Sequence, residues 1–229
     1  MKFITHFNFN LSAKEFLKKL VFRYTKLGKP TYPYNVEPIQ LAALINTFEE
    51  LRSKKGCLVE IGVARGQTTK FLANHVELTN YKEFDSEFKF YAVDTFSSFI
   101  EEDINWEVNK RGKNFEELVG FEYNKFEVWI DNFKSYKFIE AFKSDCSKFD
   151  FSSISPIKMA FLDVDLYLPT KKALQNIYPN LIQNGYIFVD DVKNDMNYDG
   201  AFQAYTEFCD ENGIEKKIIG NKCGIIRKL

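Results

Sequence analysis

The sequence predicts an α/β fold: a mostly parallel sheet, doubly wound with helices on its two faces and finished by an antiparallel C-terminal strand. Three observations predict it. Short apolar runs alternate with segments of helical periodicity between residues 57 and 191. Several runs are apolar without interruption, as strands buried on both faces are. Most of them end in an acidic residue, at the edge where open α/β sheets take their ligands.

The N-terminal stretch "SAKEFLKKLVFRYTKL" carries apolar residues at helical spacing and predicts an arm helix. The three prolines of "KLGKPTYPYNVEP" then separate an arm, residues 1–35, from a domain, residues 36–229. "EPIQLAALINTFEELRSK" is an amphipathic helix with Pro38 near its start and Lys54 and Lys55 at its end, where the helix dipole favours cations. "CLVEIG" (57–62) is a strand, "QTTKFLANHVEL" a helix, and "FKFYAVD" (88–94), "KFIEAFKSD" (137–145) and "IKMAFLDVD" (157–165) are strands. "TKKALQNIYPNLIQ" is a helix and "GYIFVDD" (185–191) a strand. The helix "GAFQAYTEFCDENG" and the strands "EKKIIG" and "CGIIRK" complete the chain. Strands separated by helices of this length imply right-handed crossovers. The stretch 97–133 is too long for a simple connection and reads as a helical insert covering the substrate. Its Trp106, Tyr123 and Trp129 could stack on a substrate ring or pack on the sheet.

Composition sets limits on function. The 229 residues are 45% hydrophobic and carry a net charge of -1, which suits one domain with an extension. Lys and Arg are interspersed with Asp and Glu, so no basic face calls for nucleic acid. No apolar run approaches the ~20 residues of a membrane span, and the N-terminus is broken by His6, Asn8 and Asn10 before a secretory core forms. A cytoplasmic protein is expected. Cys57, Cys146, Cys209 and Cys223 are far apart without a C-x-x-C pair, and read as buried thiols.

"VEIGVARGQTT" (59–69) is a strand, a turn with Gly62 and Gly66, and a helix start, which brings backbone N–H groups close to a ligand. It fails the dinucleotide pattern because Ala64 holds the middle glycine's place. Glu60 would repel a pyrophosphate but suits an ammonium or sulfonium, so a cationic cofactor is favoured over NAD. Asp94, at the next strand tip, can accept both hydroxyls of a ribose.

Glu60-x-Gly62-x-Ala64-x-Gly66 resembles the E/D-x-G-x-G-x-G motif of class I S-adenosylmethionine-dependent methyltransferases, a Rossmann-like fold. "FLDVDLYLPTKKALQNIYPNLIQNGYIFVDD" resembles the long second motif of the macrocin and mycinamicin O-methyltransferases, which methylate sugar hydroxyls with bound magnesium; Asn184 replaces the first of that motif's two glycines. The resemblance spans roughly residues 36–229. It implies S-adenosylmethionine held by Glu60, Gly62, Val63, Ala64, Gly66, Thr68, Asp94, Thr95, Asp145 and Cys146. It implies Mg²⁺ held by Asp163, Asp190 and Asp191, with a sugar diol completing the oxygen shell. Asp163, or activation by the metal alone, is expected to release the proton, with Lys193 as a lesser candidate; His6 and His75 read as structural or exposed, and Asp165 as structural or behind the ligands, with no clear role. Asp145 also suits an N-cap.

Two readings compete with this one. Tyr167-x-x-x-Lys171, with Ser153 and Ser155 upstream, resembles the acid–base pair of short-chain dehydrogenases, though Pro169 falls where that pair needs regular helix. A non-catalytic partner protein would have lost the acids at the strand tips, and all are present. The arm remains open between a dimer contact and a lid.

Overall fold

The computed structural model describes residues 9–229, with side chains from Ala13 onward; His6 lies outside the described residues. The chain divides into two compact units at Tyr34 and Asn35. In the first, helix α1 (Phe9–Tyr24) is followed by a 3₁₀ turn, Lys26–Gly28. Thr25 joins them: its Oγ1 donates to Val21 O at 2.8 Å and accepts from Leu27 N at 3.1 Å.

The second unit is a sheet with helices. Its elements run α2 (Pro38–Glu50), β1 (Cys57–Ile61), α3 (Gln67–Leu78), the short α4 (Tyr81–Phe84), β2 (Phe90–Asp94), α5 (Glu101–Arg111) and α6 (Phe126–Phe133). There follow β3 (Ile139–Lys143), β4 (Ile157–Leu162), α7 (Tyr167–Asn180), β5 (Leu181–Val189), α8 (Gly200–Asn212), β6 (Lys217–Ile219) and β7 (Cys223–Arg227). Seven strands pair in the order β3-β2-β1-β4-β5-β7-β6. The first five are parallel; β7 runs antiparallel to both β5 and β6. The strand order reverses between β1 and β4, and crevices at such a point bind ligands.

The central strands β1 and β4 are buried at every position. Their side chains join those of β5, α7 and α8 in a core including Val59, Ile61, Leu162, Leu174, Ile187 and Phe208. All four cysteines are buried and free.

Several expected boundaries move, among them the end of β4 and the start of β5. β4 ends at Leu162, so Asp163 and Asp165 lie beyond the strand. Asp163 N still donates to Ile61 O at 2.8 Å, but Asp165 turns the chain at a φ of 62°. β5 starts at Leu181, inside the segment expected to be helical. The helix stops at Asn180, one residue past Pro179, and the carbonyls of Tyr178, Pro179 and Leu181 around its end all accept from Lys228 Nζ. Asn184 bends the strand at a φ of 63°, a left-handed conformation that Asn tolerates.

Candidate active site

A cavity of about 240 Å³ opens beyond the carboxyl ends of the parallel strands. Gly62 and Ala64 after β1, Asp94 and Thr95 at β2, Asp145 and Cys146 after β3, Asp163 and Asp165 after β4, and Asp190 and Asp191 after β5 line it. The strand tips converge because parallel strands all point their ends the same way. The exception is Glu60.

Glu60 belongs to the face of β1 that α3 covers; it is 1% exposed and accepts from Thr69 Oγ1 at 2.7 Å. Burial pushes its carboxyl up to about 8. It does not line the cavity; its carboxyl is turned to Thr69. Val63, Gly66 and Thr68 are also absent from the cavity wall.

The turn after β1 is left-handed at Gly62, Ala64 and Gly66. A Cβ on Gly62 would lie 1.8 Å from Asp163 O, so the glycine is required by the neighbouring strand end. A Cβ on Gly66 would lie 2.5 Å from the Phe133 ring, so this glycine lets α3 begin beneath α6. Asp94 holds the turn from across the sheet: its Oδ2 accepts from Val63 N at 2.7 Å and Ala64 N at 3.1 Å, and its Oδ1 from Phe96 N at 2.5 Å. Burial raises the Asp94 carboxyl above its usual range despite these three donors.

After β3, Asp145 accepts from the Ser147 amide at 2.8 Å and hydroxyl at 2.7 Å, and pairs with Lys148 at 3.2 Å. Its burial works upward, but these partners outweigh it and hold the carboxyl below the usual range. The residue thus caps a turn, not a helix, and faces the cavity as well. Asp103, from the first turn of α5, lines the same end, with its carboxyl pushed up to about 7 by burial and then by Asp145 and Glu102. Asn124 also lines it, and its buried Nδ2 has no acceptor among the described residues. An orphaned donor of this kind fits a ligand that brings its own acceptor. Neither residue was signalled in the sequence, because both reach the cavity from the insert.

At the opposite end, Asp163, Asp165 and Asp191 bring carboxylate oxygens within 4.8 Å of one another. Burial raises Asp163 and Asp165 well above the carboxylate range, and the neighbouring aspartates push them further. Asp190 differs. Its Oδ1 accepts from Gln40 Nε2 at 2.6 Å and its Oδ2 from Lys222 Nζ at 2.9 Å. Lys222 also reaches Asp191 Oδ1 at 2.6 Å. Three mutually close carboxylates with a fourth behind them make an all-oxygen donor set, which fits a hard divalent cation. Asp165, without a role on sequence grounds, belongs to this set.

Other candidates lie elsewhere. His75 Nε2 contacts Glu49 Oε1 at 2.7 Å, and Lys193 is exposed away from the cavity. Trp106 stacks on Tyr167, with centroids 4.2 Å apart, and Trp129 on Phe133 at 4.1 Å; neither lines the cavity, nor does Tyr123. The aromatic walls are Phe99, Phe121 and Tyr198. Lys171 Nζ does donate to Tyr167 Oη at 2.9 Å, but Glu207 accepts from both, and the pair joins α7 to α8 outside the cavity. That geometry offers nothing to a hydride-transfer site.

Residues 39–227 match the family described as Macrocin-O-methyltransferase (TylF). Among solved structures, the O-methyltransferase NovP has a TM-score of 0.64 at 18% identity, covering 82% of this chain and 79% of NovP. CalS11, a calicheamicin methyltransferase, has a TM-score of 0.64 at 15% identity, covering 94% of this chain and 85% of CalS11. Cofactor-bound Rv0187 from MTB has a TM-score of 0.54 at 12% identity, covering 98% and 92%. At these identities the structures share the fold. No curated protein matches the chain.

Proposed function

The chain belongs to the macrocin O-methyltransferase family and is an S-adenosylmethionine-dependent methyltransferase, and from that premise we propose that it methylates a hydroxyl of a sugar or glycoside at the aspartate cluster, with Mg²⁺. The observation that carries this reading is the placement of Asp163, Asp165 and Asp191 in the same cavity as Gly62, Ala64 and Asp94. One end has what a nucleoside cofactor needs and the other has what a diol needs.

Asp94 meets the ribose, while Asp145, Cys146 and the Asn124 amide stand at the base end. The methionine part lies along Gly62 and Ala64. Bound among the aspartates, Mg²⁺ would lower the pKa of a hydroxyl and hold its oxygen in place. Asp163, Asp190 and Asp191 are its ligands in this reading, Asp190 while also holding Gln40 and Lys222. Asp165, whose carboxylate lies within 4.8 Å of those of Asp163 and Asp191, can take the proton while Asp163 holds the ion. The acceptor oxygen attacks the sulfonium methyl carbon, the carbon–sulfur bond breaks, and the hydroxyl proton passes to Asp163 or Asp165. The products are the methyl ether and S-adenosylhomocysteine. Aligning the two reactants in line is the main contribution of such a site.

Calorimetric titration with S-adenosylmethionine and with NAD, each with Mg²⁺ and with chelator, is the first test. Binding of the first cofactor only, little changed by chelator, is expected. Asp94→Ala should weaken that binding by about tenfold or more, the scale of a lost charged hydrogen bond. Asp163→Asn should abolish turnover with sugar acceptors yet bind the cofactor almost as the parent does. Equal loss of both properties in Asp163→Asn would remove the metal assignment.

A further inference from the structure

We infer that Lys222 is a resident cation of the aspartate cluster: its ammonium offsets the charge of Asp190 and Asp191 before a divalent ion arrives, and by its charge it lowers the affinity of the cluster for that ion. The inference rests on the reading of the cluster as a divalent-cation site.

Four carboxylates, Asp163, Asp165, Asp190 and Asp191, face one another at adjoining strand ends. Like charges this close disfavour their own ionised forms. Lys222 is the cation among the residues lining the cavity. Its Nζ lies 2.9 Å from Asp190 Oδ2 and 2.6 Å from Asp191 Oδ1, with only 18% of its side chain exposed. The contact is built in from two directions. Val192 N donates to Lys222 O at 2.7 Å, which ties the backbone of the β6–β7 turn to the residue following the aspartate pair. Beside it, Asn221 N donates to Glu37 Oε2 at 2.7 Å, which ties the same turn to the start of α2. That helix start also supplies Gln40, whose Oε1 accepts from Glu37 N at 2.6 Å while its Nε2 donates to Asp190. Both oxygens of Asp190 are therefore engaged, one by Gln40 and one by Lys222. Asp191 keeps one oxygen clear of Lys222, and Asp163 and Asp165 accept nothing from it.

A fixed positive charge beside carboxylates does two things. It offsets part of their repulsion in the metal-free protein, and it opposes the arrival of a second cation. Removing it should therefore make the metal-free protein less stable and the metal complex relatively more favourable. A residue that merely packed the turn would produce the first effect without the second.

The experiment compares the parent with Lys222→Met, which keeps the apolar stem, and Lys222→Arg, which keeps the charge. Thermal melts are recorded in chelator and in Mg²⁺, and Mn²⁺ binding is followed by the free-ion paramagnetic resonance signal. The expected result is a lower metal-free melting temperature for Lys222→Met, a larger rise on adding Mg²⁺, and Mn²⁺ affinity higher by on the order of tenfold. Lys222→Arg should stay near the parent in all three. Weaker or unchanged Mn²⁺ binding by Lys222→Met would overturn the inference while leaving the site a metal site. Failure of the parent itself to bind Mn²⁺ or respond to Mg²⁺ would overturn the metal reading and this inference with it. Should Lys222→Met not fold in chelator, its recovery in Mg²⁺ would support the inference, and its failure to recover would overturn it.

Discussion

At the scale of single residues, the turn after β1 is where geometry and chemistry compete most closely. Gly62, Ala64 and Gly66 all take the left-handed conformation, and only Ala64 has a side chain there. A non-glycine residue in that conformation costs about 1 kcal/mol. Ala64→Gly should therefore raise stability by up to about 1 kcal/mol, less the backbone entropy that glycine adds to the unfolded chain. Gly62→Ala should have the opposite sign and a larger size, because its Cβ meets the Asp163 carbonyl as well as the unfavourable φ. Urea midpoints of the two variants check both, and a tolerated Gly62→Ala would refute the account of that glycine. The sequence showed that glycines belong in this turn, because a strand followed by small residues and a helix start is a local pattern. It did not show that Gly62 answers to Asp163, a residue a hundred positions away. The burial of Glu60 against Thr69 was hidden for a similar reason: proximity to the motif along the chain says nothing of which face of β1 the helix α3 covers.

At the scale of elements, the helical insert is fastened to the aspartate cluster by buried charge. Glu107 on α5 is 1% exposed and accepts from Tyr167 N, the first residue of α7, at 2.6 Å and from Arg111 Nε at 2.6 Å. Arg111 also binds Asp199 and Gln203, and Lys113 pairs with Asp199 at 2.6 Å, so α5 is tied to the start of α8. Ala201 N in turn donates to Asp165 O at 3.0 Å. The turn carrying Asp163 and Asp165 is thus held between two helix starts. Glu107→Ala would leave a buried guanidinium short of a partner and should cost about 3–5 kcal/mol. Glu107→Gln keeps an acceptor for Tyr167 N and should cost less. Thermal melts decide it, and an alanine variant as stable as the parent would remove Glu107 from this role. In the sequence the insert was legible as helical from its length. Its contacts were not, since Glu107 looks like one more acid on an exposed helix. Lys222 had a weak signal of its own: a residue just before the antiparallel last strand must return to the ligand end of the sheet.

At the scale of the whole molecule, two ionisable groups sit where the sheet is most deeply buried, and they shape its response to pH. Lys158 on β4 is 0% exposed; its Nζ donates to Tyr81 Oη and lies 4.6, 5.0 and 5.1 Å from the ring centroids of Tyr81, Phe48 and Phe88. Burial lowers its ammonium to about 8, from the ordinary value of 10.5. The unfolded chain then holds more protons between pH 8 and 10.5, so this group makes stability rise with pH across that window. Glu60 acts in the opposite sense: with its carboxyl raised from 4.5 to about 8, the folded protein holds the extra proton, and stability falls as pH rises through that interval. Lys158→Met should remove the first slope and Glu60→Gln the second, measured as urea midpoints against pH. An unchanged slope in either variant would show that the group is charged as freely in the folded protein as in water. By itself the sequence determined the order and kind of the elements and that acids crowd one edge of a parallel sheet, because periodicity, turn residues and strand-end position are local properties. Only the tertiary structure decided that Asp165 joins Asp163 and Asp191, that Glu60 is covered by α3, that Gln40 reaches Asp190, and that Lys222, Asn124 and Asp103 reach the cavity. Those outcomes depend on which segments the fold brings together, and hydrogen bonds and charge act through space without regard to distance along the chain.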